Sequence, residues 1–343
     1  MQLPLHRPPT LSIVVPVHNE TGSIEPFLAR TTPVLKRLAK AFDYEIVFVD
    51  DGSTDATLAE LLEARKASPR IKVVALSRNF GKDTALAAGL AHATGKGVIP
   101  MDVDLQDPPE VIPEMYAHWR AGFDVVNARR ADRSSDTWLK RTTSKAFYRI
   151  FNQMADRPIL EDVGDYRLLD RRVVDVINQF PERARFMKGL FSWVGFSHTT
   201  VEYQRAERHA GTTKWKYWKL WNFAVDGITS FTTVPLRIWT YFGAFIAFLA
   251  FVFAVALVIR TLAFGVDTPG YASLMVVILG LGGMNLLSLG VIGEYLGRTY
   301  TEVKGRPLYI VDKTFGFEGR EAAGGVRARG RRAPAPTASP AER

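Results

Sequence analysis

Three acidic stretches carry residue types suited to a divalent metal and a diphosphate. In Met101-Asp102-Val103-Asp104-Leu105-Gln106-Asp107, two carboxylates stand two residues apart at the end of an apolar run. On an extended strand such residues face the same side, so Asp102 and Asp104, with Gln106 next in the series, can converge on one hard cation. Mg²⁺ or Mn²⁺ held by one or two carboxylates plus substrate phosphates is the usual arrangement for diphosphate chemistry. An Asp-x-Asp triplet is common on loops; its place after a buried strand is what gives it weight. A second pair, Asp50 and Asp51, opens Asp50-Asp51-Gly52-Ser53-Thr54-Asp55. These carboxylates could accept from a base N–H or from ribose hydroxyls. They could equally serve a turn, with Ser53 or Thr54 as the helix N-cap and Asp51 left free. Pro16-Val17-His18-Asn19-Glu20 supplies a third polar edge, where Pro16 fixes φ and tends to end strand pairing.

Something must hold these edges together. Val- and Ile-rich runs at 11–17, 45–49, 71–76, 97–101 and 123–127 alternate with helix-length segments at 23–42, 55–67, 82–93 and 110–121. Continuous apolar strands alternating with helices predict an α/β domain with a mostly parallel sheet covered on both faces. Such sheets bind ligands beyond the carboxyl ends of their strands, which is where all three acidic or polar edges fall.

The last third has a different character. Residues 238–259 and 271–293 carry no charge, and each run is long enough to cross about 30 Å of hydrocarbon as a helix. The short link between them, which contains Arg260, predicts a transmembrane hairpin. Its flanks hold Lys214, Lys216, Lys219 and Arg237 on one side and Arg298, Lys304 and Arg306 on the other, so the positive-inside rule puts both in the cytoplasm. Gly280, Gly282, Gly283, Gly290, Gly293 and Gly297 would let helices approach closely, within the hairpin or between protomers. Before the hairpin, Trp215, Tyr217, Trp218, Trp221 and Phe223 lie among lysines, as in an interfacial helix in the headgroup layer. The divisions expected are an extension at 1–10, the α/β domain at 11–212, interfacial helices at 213–235 and two spans within 236–297. A cytoplasmic return segment at 298–317 and a basic, disordered tail at 318–343 complete them.

Composition narrows the classes. The chain has 343 residues, no cysteine and a formal charge of +9. Disulfide frameworks and thiolate metal sites are excluded, and an anionic partner is indicated. Residues 1–10 contain three prolines and no apolar h-region, so they do not read as a secretory signal and the domain is expected to stay cytoplasmic. Neither Gly-x-Gly-x-x-Gly after a strand nor a P-loop occurs, and there is no His-Glu-x-x-His. The basic residues gather beside the apolar runs and in the tail, which argues against nucleic acid as the partner.

Pro16-x-x-Asn19-Glu20, the 50–55 segment, Arg78-Asn79-Phe80-Gly81-Lys82, Asp102-x-Asp104-Leu105-Gln106-Asp107-Pro108-Pro109 and Gly164-Asp165-Tyr166-Arg167 occur in one order. Followed by Arg205-x-x-Arg208-x-x-Gly211-x-x-Lys214 and two apolar runs, this order resembles family 2 glycosyltransferases of GT-A fold, specifically the polyprenyl-phosphate glycosyltransferases. The resemblance covers about residues 10 to 312. It implies a metal, Mg²⁺ or Mn²⁺, on Asp102, Asp104 and Gln106. It also implies nucleotide-sugar contacts from Pro16, Asn19, Glu20, Asp50, Asp51, Lys82, Arg205 and Arg208. The acceptor phosphate would meet Arg129, Lys140 or Arg141, Ser144 and Lys214. A Gln-x-x-Arg-Trp motif of processive relatives is absent, so a single transfer is implied.

The reaction implied is inverting transfer of a hexose, by default glucose from UDP-glucose, to undecaprenyl or another polyprenyl phosphate. GDP-mannose or an aminoarabinose-type donor, or a non-catalytic nucleotide-sugar-binding scaffold, are the alternatives. The expected setting is the cytoplasmic face of the inner membrane, beside anionic lipid, in a homo-oligomer for which a tetramer is plausible. Asp165 resembles the residue often proposed as catalytic base. A phosphate monoester has a second pKa of about 6, however, so its dianion hardly needs deprotonation. Asp165 could instead orient a donor hydroxyl or a basic residue.

Overall fold

The computed structural model describes residues 11–38, 43–131, 163–180, 182, 187–204, 234–264, 270–317 and 326–327. Nine strands form one sheet: β1 (Leu11–Val17), β2 (Tyr44–Asp50), β3 (Ile71–Leu76), β4 (Gly97–Pro100), β5 (Val125–Arg130), β6 (Val163–Asp170), β7 (His198–Tyr203), β8 (Ile310–Phe315) and β9 (Val326–Arg327). Their order across the sheet is β7-β5-β6-β4-β1-β2-β3-β8-β9. The centre, β4-β1-β2-β3, is parallel, as the unbroken apolar runs predict. The wings are mixed: β6 runs antiparallel to β4 and β5, β8 runs antiparallel to β3, and β7 is parallel to β5. The fold is thus the expected mostly parallel α/β architecture, with antiparallel strands outside its centre.

Helices α1 (Ile24–Leu38), α2 (Thr57–Ala67), α3 (Lys82–His92), α4 (Ile112–Arg120), α5 (Arg171–Gln179) and α6 (Met187–Trp193) accompany the sheet. Ile24, Phe27, Thr31 and Leu35 are the buried face of α1, at the spacing of one helical stripe. They join the inward residues of β1 and β2 in one apolar cluster, where Phe27 and Phe48 pack edge to face. α3 covers the other face with small residues, Ala85 to Leu90 being buried throughout. Gly89 makes this close approach possible, since a Cβ there would lie 2.2 Å from Val14 Cγ1.

The strand ends show two departures from the sequence reading. Pro16 ends pairing on one side only: the β1–β4 ladder stops at Val14↔Pro100, while β1–β2 continues to Val17↔Asp50. Met101 N–H donates to Val14 O and Asp51 N–H to Val17 O, so alternate residues face alternate neighbours and the missing N–H of Pro16 points to the side already unpaired. Second, Asp102 and Asp104 are not on a strand, because β4 ends at Pro100 and residues 101–107 turn away. Leu105 adopts φ 57, a left-handed conformation that no strand tolerates. The two-residue period therefore does not explain why these carboxylates share a site.

Beyond the domain come two long helices, α7 (Val234–Phe264) and α8 (Tyr271–Val303), at the positions of the two uncharged runs. Among the described residues, no helix is long and apolar enough to cross a membrane, so the expected hairpin of two spans is not borne out there. Large apolar residues of both helices are strongly exposed, Phe245, Phe248, Phe251, Phe253, Leu286 and Leu287 among them. A Cβ at any of the six α8 glycines would meet nothing within 4 Å, so they do not serve packing against α7. After α8 the chain returns to the sheet as β8, burying Tyr309 and Val311. Two residues of the tail that was expected to be disordered, Val326 and Arg327, add β9. The expected interfacial segment 213–235 lies almost wholly outside the described residues.

Candidate active site

The carboxyl ends of the central strands enclose a cleft of about 320 Å³, lined by Pro16, His18, Glu20, Asp51, Asn79, Gly81, Lys82, Asp102 and Asp104 among others. A larger groove of about 1000 Å³ lies between α1 and α2 and includes the start of β3. None of the strand-end carboxylates lines it, so its volume does not make it the site.

Each wall is built locally. Asn19 takes φ 53, a left-handed conformation that asparagine tolerates, and its side-chain Oδ1 accepts from Thr54 N–H at 2.8 Å. Ser53 Oγ accepts from Asn19 N–H at 3.0 Å. Ser53 and Thr54 thus bind the first loop and do not cap α2; Asp55 instead accepts from Thr57 N–H at 3.0 Å. His18 Nδ1 lies 2.9 Å from Asp51 O, an acceptor only, so Nδ1 carries the proton and Nε2 is free to accept from the Asn19 amide.

Asp51 is buried and accepts from the N–H groups of Phe80 (2.7 Å) and Gly81 (2.9 Å), tying the loop before α3 to the end of β2. Asp50, also buried, accepts from Ser53 N–H and is not part of the cleft lining. Gly52 has φ +64, and a Cβ there would lie 2.3 Å from Arg78 C. Gly52→Ala is therefore expected to cost about 2–4 kcal/mol, from left-handed strain plus a backbone clash. It should also loosen the Phe80 and Gly81 bonds to Asp51. Denaturant unfolding and nucleotide affinity measure both effects, and a variant within about 0.5 kcal/mol of wild type would refute them.

The two acidic partners meet on Lys82. Its Nζ lies 2.7 and 2.8 Å from the two oxygens of Asp102 and 3.2 Å from Asp165 Oδ2. Burial works against the charge on Lys82, but the neighbouring Asp102 and Asp165 carboxylates outweigh it and raise the ammonium pKa. Asp165 arrives on β6, a strand the sequence reading missed because its charged residues interrupt any apolar run. Arg167 of that strand is buried, stacked 4.2 Å from the Phe191 ring and donating to Gly164 O.

The Asp-x-Asp turn is held from below by two tyrosines. Tyr203 Oη donates to Asp107 Oδ1 at 2.6 Å, and Tyr166 Oη donates to Pro108 O at 2.9 Å. The two rings pack edge to face, and Leu105 fills the same apolar cluster. A left-handed leucine persists only where its surroundings fix it, which this packing does. Burial pushes the Asp107 carboxyl up, and burial beside Asp107 raises the Tyr203 hydroxyl. Tyr166 was visible as part of Gly164-Asp165-Tyr166-Arg167; nothing in the sequence singles out Tyr203.

Of the residues expected to act, Pro16, Glu20, Asp51, Lys82, Asp102 and Asp104 line the cleft, and Asp165 reaches it through Lys82. Asn19 shapes the first loop. Gln106 is buried outside the lining, with Oε1 lacking a hydrogen-bond partner. Arg129 is exposed and pairs with Glu202. Lys140, Arg141, Ser144, Arg205, Arg208 and Lys214 lie outside the described residues. His18, Asn79, Gly81 and Tyr166 also hold the site, although the sequence motifs that contain them assigned them no role, and Tyr203 belongs to no such motif.

A parallel-centred sheet with helices on both faces and carboxylates gathered at its strand ends defines a GT-A-like α/β fold. The sequence profile described as glycosyl transferase family 2 matches residues 12–177. An uncharacterised glycosyltransferase of Synechocystis sp. is 53% identical, the alignment covering 90% of this chain and 96% of that one. A prophage-derived bactoprenol glucosyl transferase of Shigella flexneri is 51% identical over 89% of this chain and 98% of its own. A prophage bactoprenol glucosyl transferase homolog of Escherichia coli K12 is 50% identical over 88% and 98%. Among solved structures, a mannosyltransferase of Pyrobaculum calidifontis with GDP-Man and Mn²⁺ aligns with a TM-score of 0.45 at 18% identity, covering 88% of this chain and 86% of that one. The chain belongs to glycosyl transferase family 2 and is a glycosyltransferase.

Proposed function

We propose that the protein transfers glucose from UDP-glucose to undecaprenyl or a related polyprenyl phosphate at the cytoplasmic face of the inner membrane. The observation that carries this is the convergence of Asp102, Asp104, Lys82 and Asp165 on one cleft, in a chain half identical to bactoprenol glucosyl transferases over nearly its full length. The donor set fits Mg²⁺ or Mn²⁺: two carboxylates of one turn face the cleft, and one of them already holds a cation, the Lys82 ammonium. Asp102 and Asp104 would hold the ion, with Gln106 nearby in sequence. Bound there, it would offset the charge that builds on the leaving diphosphate.

The chain's own groups do the rest. Asp51 fixes the Phe80–Gly81 turn and thereby the start of α3, whose first residue is Lys82. The ammonium stands where a diphosphate would be drawn in. The acceptor phosphate, already a dianion at neutral pH, attacks the anomeric carbon opposite the leaving group, inverting it. In this reading Asp165, which contacts Lys82, orients that lysine or a donor hydroxyl and does not remove a proton.

Supporting the membrane setting are the uncharged stretches of α7 and α8, whose exposed phenylalanines and leucines form an apolar surface far beyond what a soluble monomer presents. Together they would form a hairpin with basic flanks and both chain ends in the cytoplasm. Anchoring confines enzyme and lipid to one layer and raises their effective concentration. The same exposed helices, with unpacked glycines, leave room for a homo-oligomer.

The test is purified protein in detergent with undecaprenyl phosphate, Mg²⁺ or Mn²⁺, and radiolabelled UDP-glucose beside other UDP- and GDP-sugars. Metal-dependent movement of glucose label into the organic phase is the expected result. Label moving only from another donor would overturn the choice of sugar, and no transfer from any donor would overturn the reaction.

A further inference from the structure

We infer that Lys82 is a resident cation that withholds Asp102 from divalent ions until a nucleotide diphosphate arrives, so that metal and nucleotide enter the site together. The inference deepens the reading above and rests on it.

Asp102 and Asp165 come from different parts of the sheet, the turn after β4 and the middle of β6, and both reach the same ammonium. Lys82 contacts both oxygens of Asp102, so in this arrangement one cation already bridges that carboxylate. A divalent ion on Asp102 would stand a few ångströms from the ammonium, and like charges at that distance repel strongly in a half-buried cleft. Metal and Lys82 therefore compete for Asp102 as long as the ammonium has no anion beyond its Asp102 and Asp165 partners to turn to.

A diphosphate supplies that anion. Lys82 is the first residue of α3, and its backbone is fixed by the Gly81 N–H bond to Asp51. Its side chain is about half exposed and long, with freedom to swing while its Cα stays in place. α3 starts without a side-chain cap, so the direction in which Lys82 would turn is also one that favours negative charge. Once the ammonium moves to the diphosphate, Asp102 is released to the metal and Asp165 to the donor. The lysine thus converts two separate binding events into one coupled event.

Mn²⁺ binding to the full-length protein, read from the electron paramagnetic resonance signal of free Mn²⁺, tests this without turnover. Wild type is expected to bind Mn²⁺ weakly alone and more tightly with UDP. Lys82→Met should bind Mn²⁺ alone about fivefold or more tighter than wild type, the loss of a partly exposed ion pair being enough for that factor. It should also lose most of the gain that UDP brings. Lys82→Arg, which keeps the charge, should behave as wild type, and Lys82→Gln repeats the measurement should the Met variant melt early. A neutral variant that binds Mn²⁺ no tighter than wild type, while wild type still binds Mn²⁺ with UDP, overturns the inference alone. Wild type that binds neither Mn²⁺ nor UDP overturns the functional reading and the inference with it.

Discussion

Asp104→Ala is expected to lower kcat/KM for sugar transfer by about three orders of magnitude or more, with little change in melting temperature. Asp104 lines the cleft and accepts from Gln106 N–H at 3.2 Å within the turn. In the proposed reaction its removal costs the leaving group far more than it costs the fold. Asp165→Asn makes the informative contrast. An essential base is worth about 10²–10⁴ in rate and would be bypassed at high pH. Asp165 instead contacts Lys82, and the phosphate acceptor of the proposed reaction would already be ionised. A loss of about ten- to a hundredfold, uniform across the pH range in which the acceptor phosphate titrates, is the expected result. Recovery of Asp165→Asn at alkaline pH would restore the base to the mechanism. Full activity in Asp104→Ala would remove the metal from it.

The second large effect lies far from the chemistry. Ending the chain after Lys304 should destabilise the α/β domain itself, although every residue lining the cleft precedes position 170. β8 pairs with β3 across a register shift at Ala75/Leu76, and Ser77 N–H donates to Ile310 O at 3.0 Å. Tyr309 and Val311 are buried, and Leu308 and Phe317 pack on the same cluster. The Phe317 ring meets His92 of α3 at 5.5 Å and lies 5.3 Å from Lys72 Nζ. Burial of these side chains contributes on the order of 5 kcal/mol, a large share of a typical domain's total stability. Loss of the strand also bares the edge of β3, a row of unpaired backbone groups prone to aggregation. Thermal unfolding should shift down by about 10 °C or more. A truncated chain that melts within about 2 °C of wild type would show β8 to be dispensable.

The sequence was most legible where one physical signal acted alone. Apolar runs placed β1 to β5 to within a few residues, β1 to β4 because central parallel strands need little but continuous burial. The acidic edges fell at strand ends for the same topological reason. The Asp-x-Asp turn was assigned to the right place by an argument that does not hold there: the strand stops at Pro100, and Leu105 turns left-handed. No side-chain period encodes such a turn; it is imposed by tyrosines 58 and 96 residues away in sequence. β6 was hidden because Asp165 and Arg167 interrupt its apolar character, although Arg167 is buried against the Phe191 ring. β8 was hidden because its partner precedes it by more than two hundred residues, across both long helices.

That long-range pairing has a mechanical consequence. The chain leaves the sheet toward the long helices at β7, one outer strand, and comes back at β8, next to the opposite edge. Seven strand spacings of about 4.8 Å put those two attachments roughly 34 Å apart. A body hung from one flexible cord swivels through a wide cone; a body slung from both sides, as a hammock is, keeps only a rocking motion about the line joining its supports. Were the long helices seated in a bilayer as proposed, the cleft between the two supports would sweep its mouth through only a narrow arc over the bilayer surface. Headgroups would meet it from a nearly constant direction, and lengthening either cord with a flexible insert would widen that arc without touching a single cleft residue.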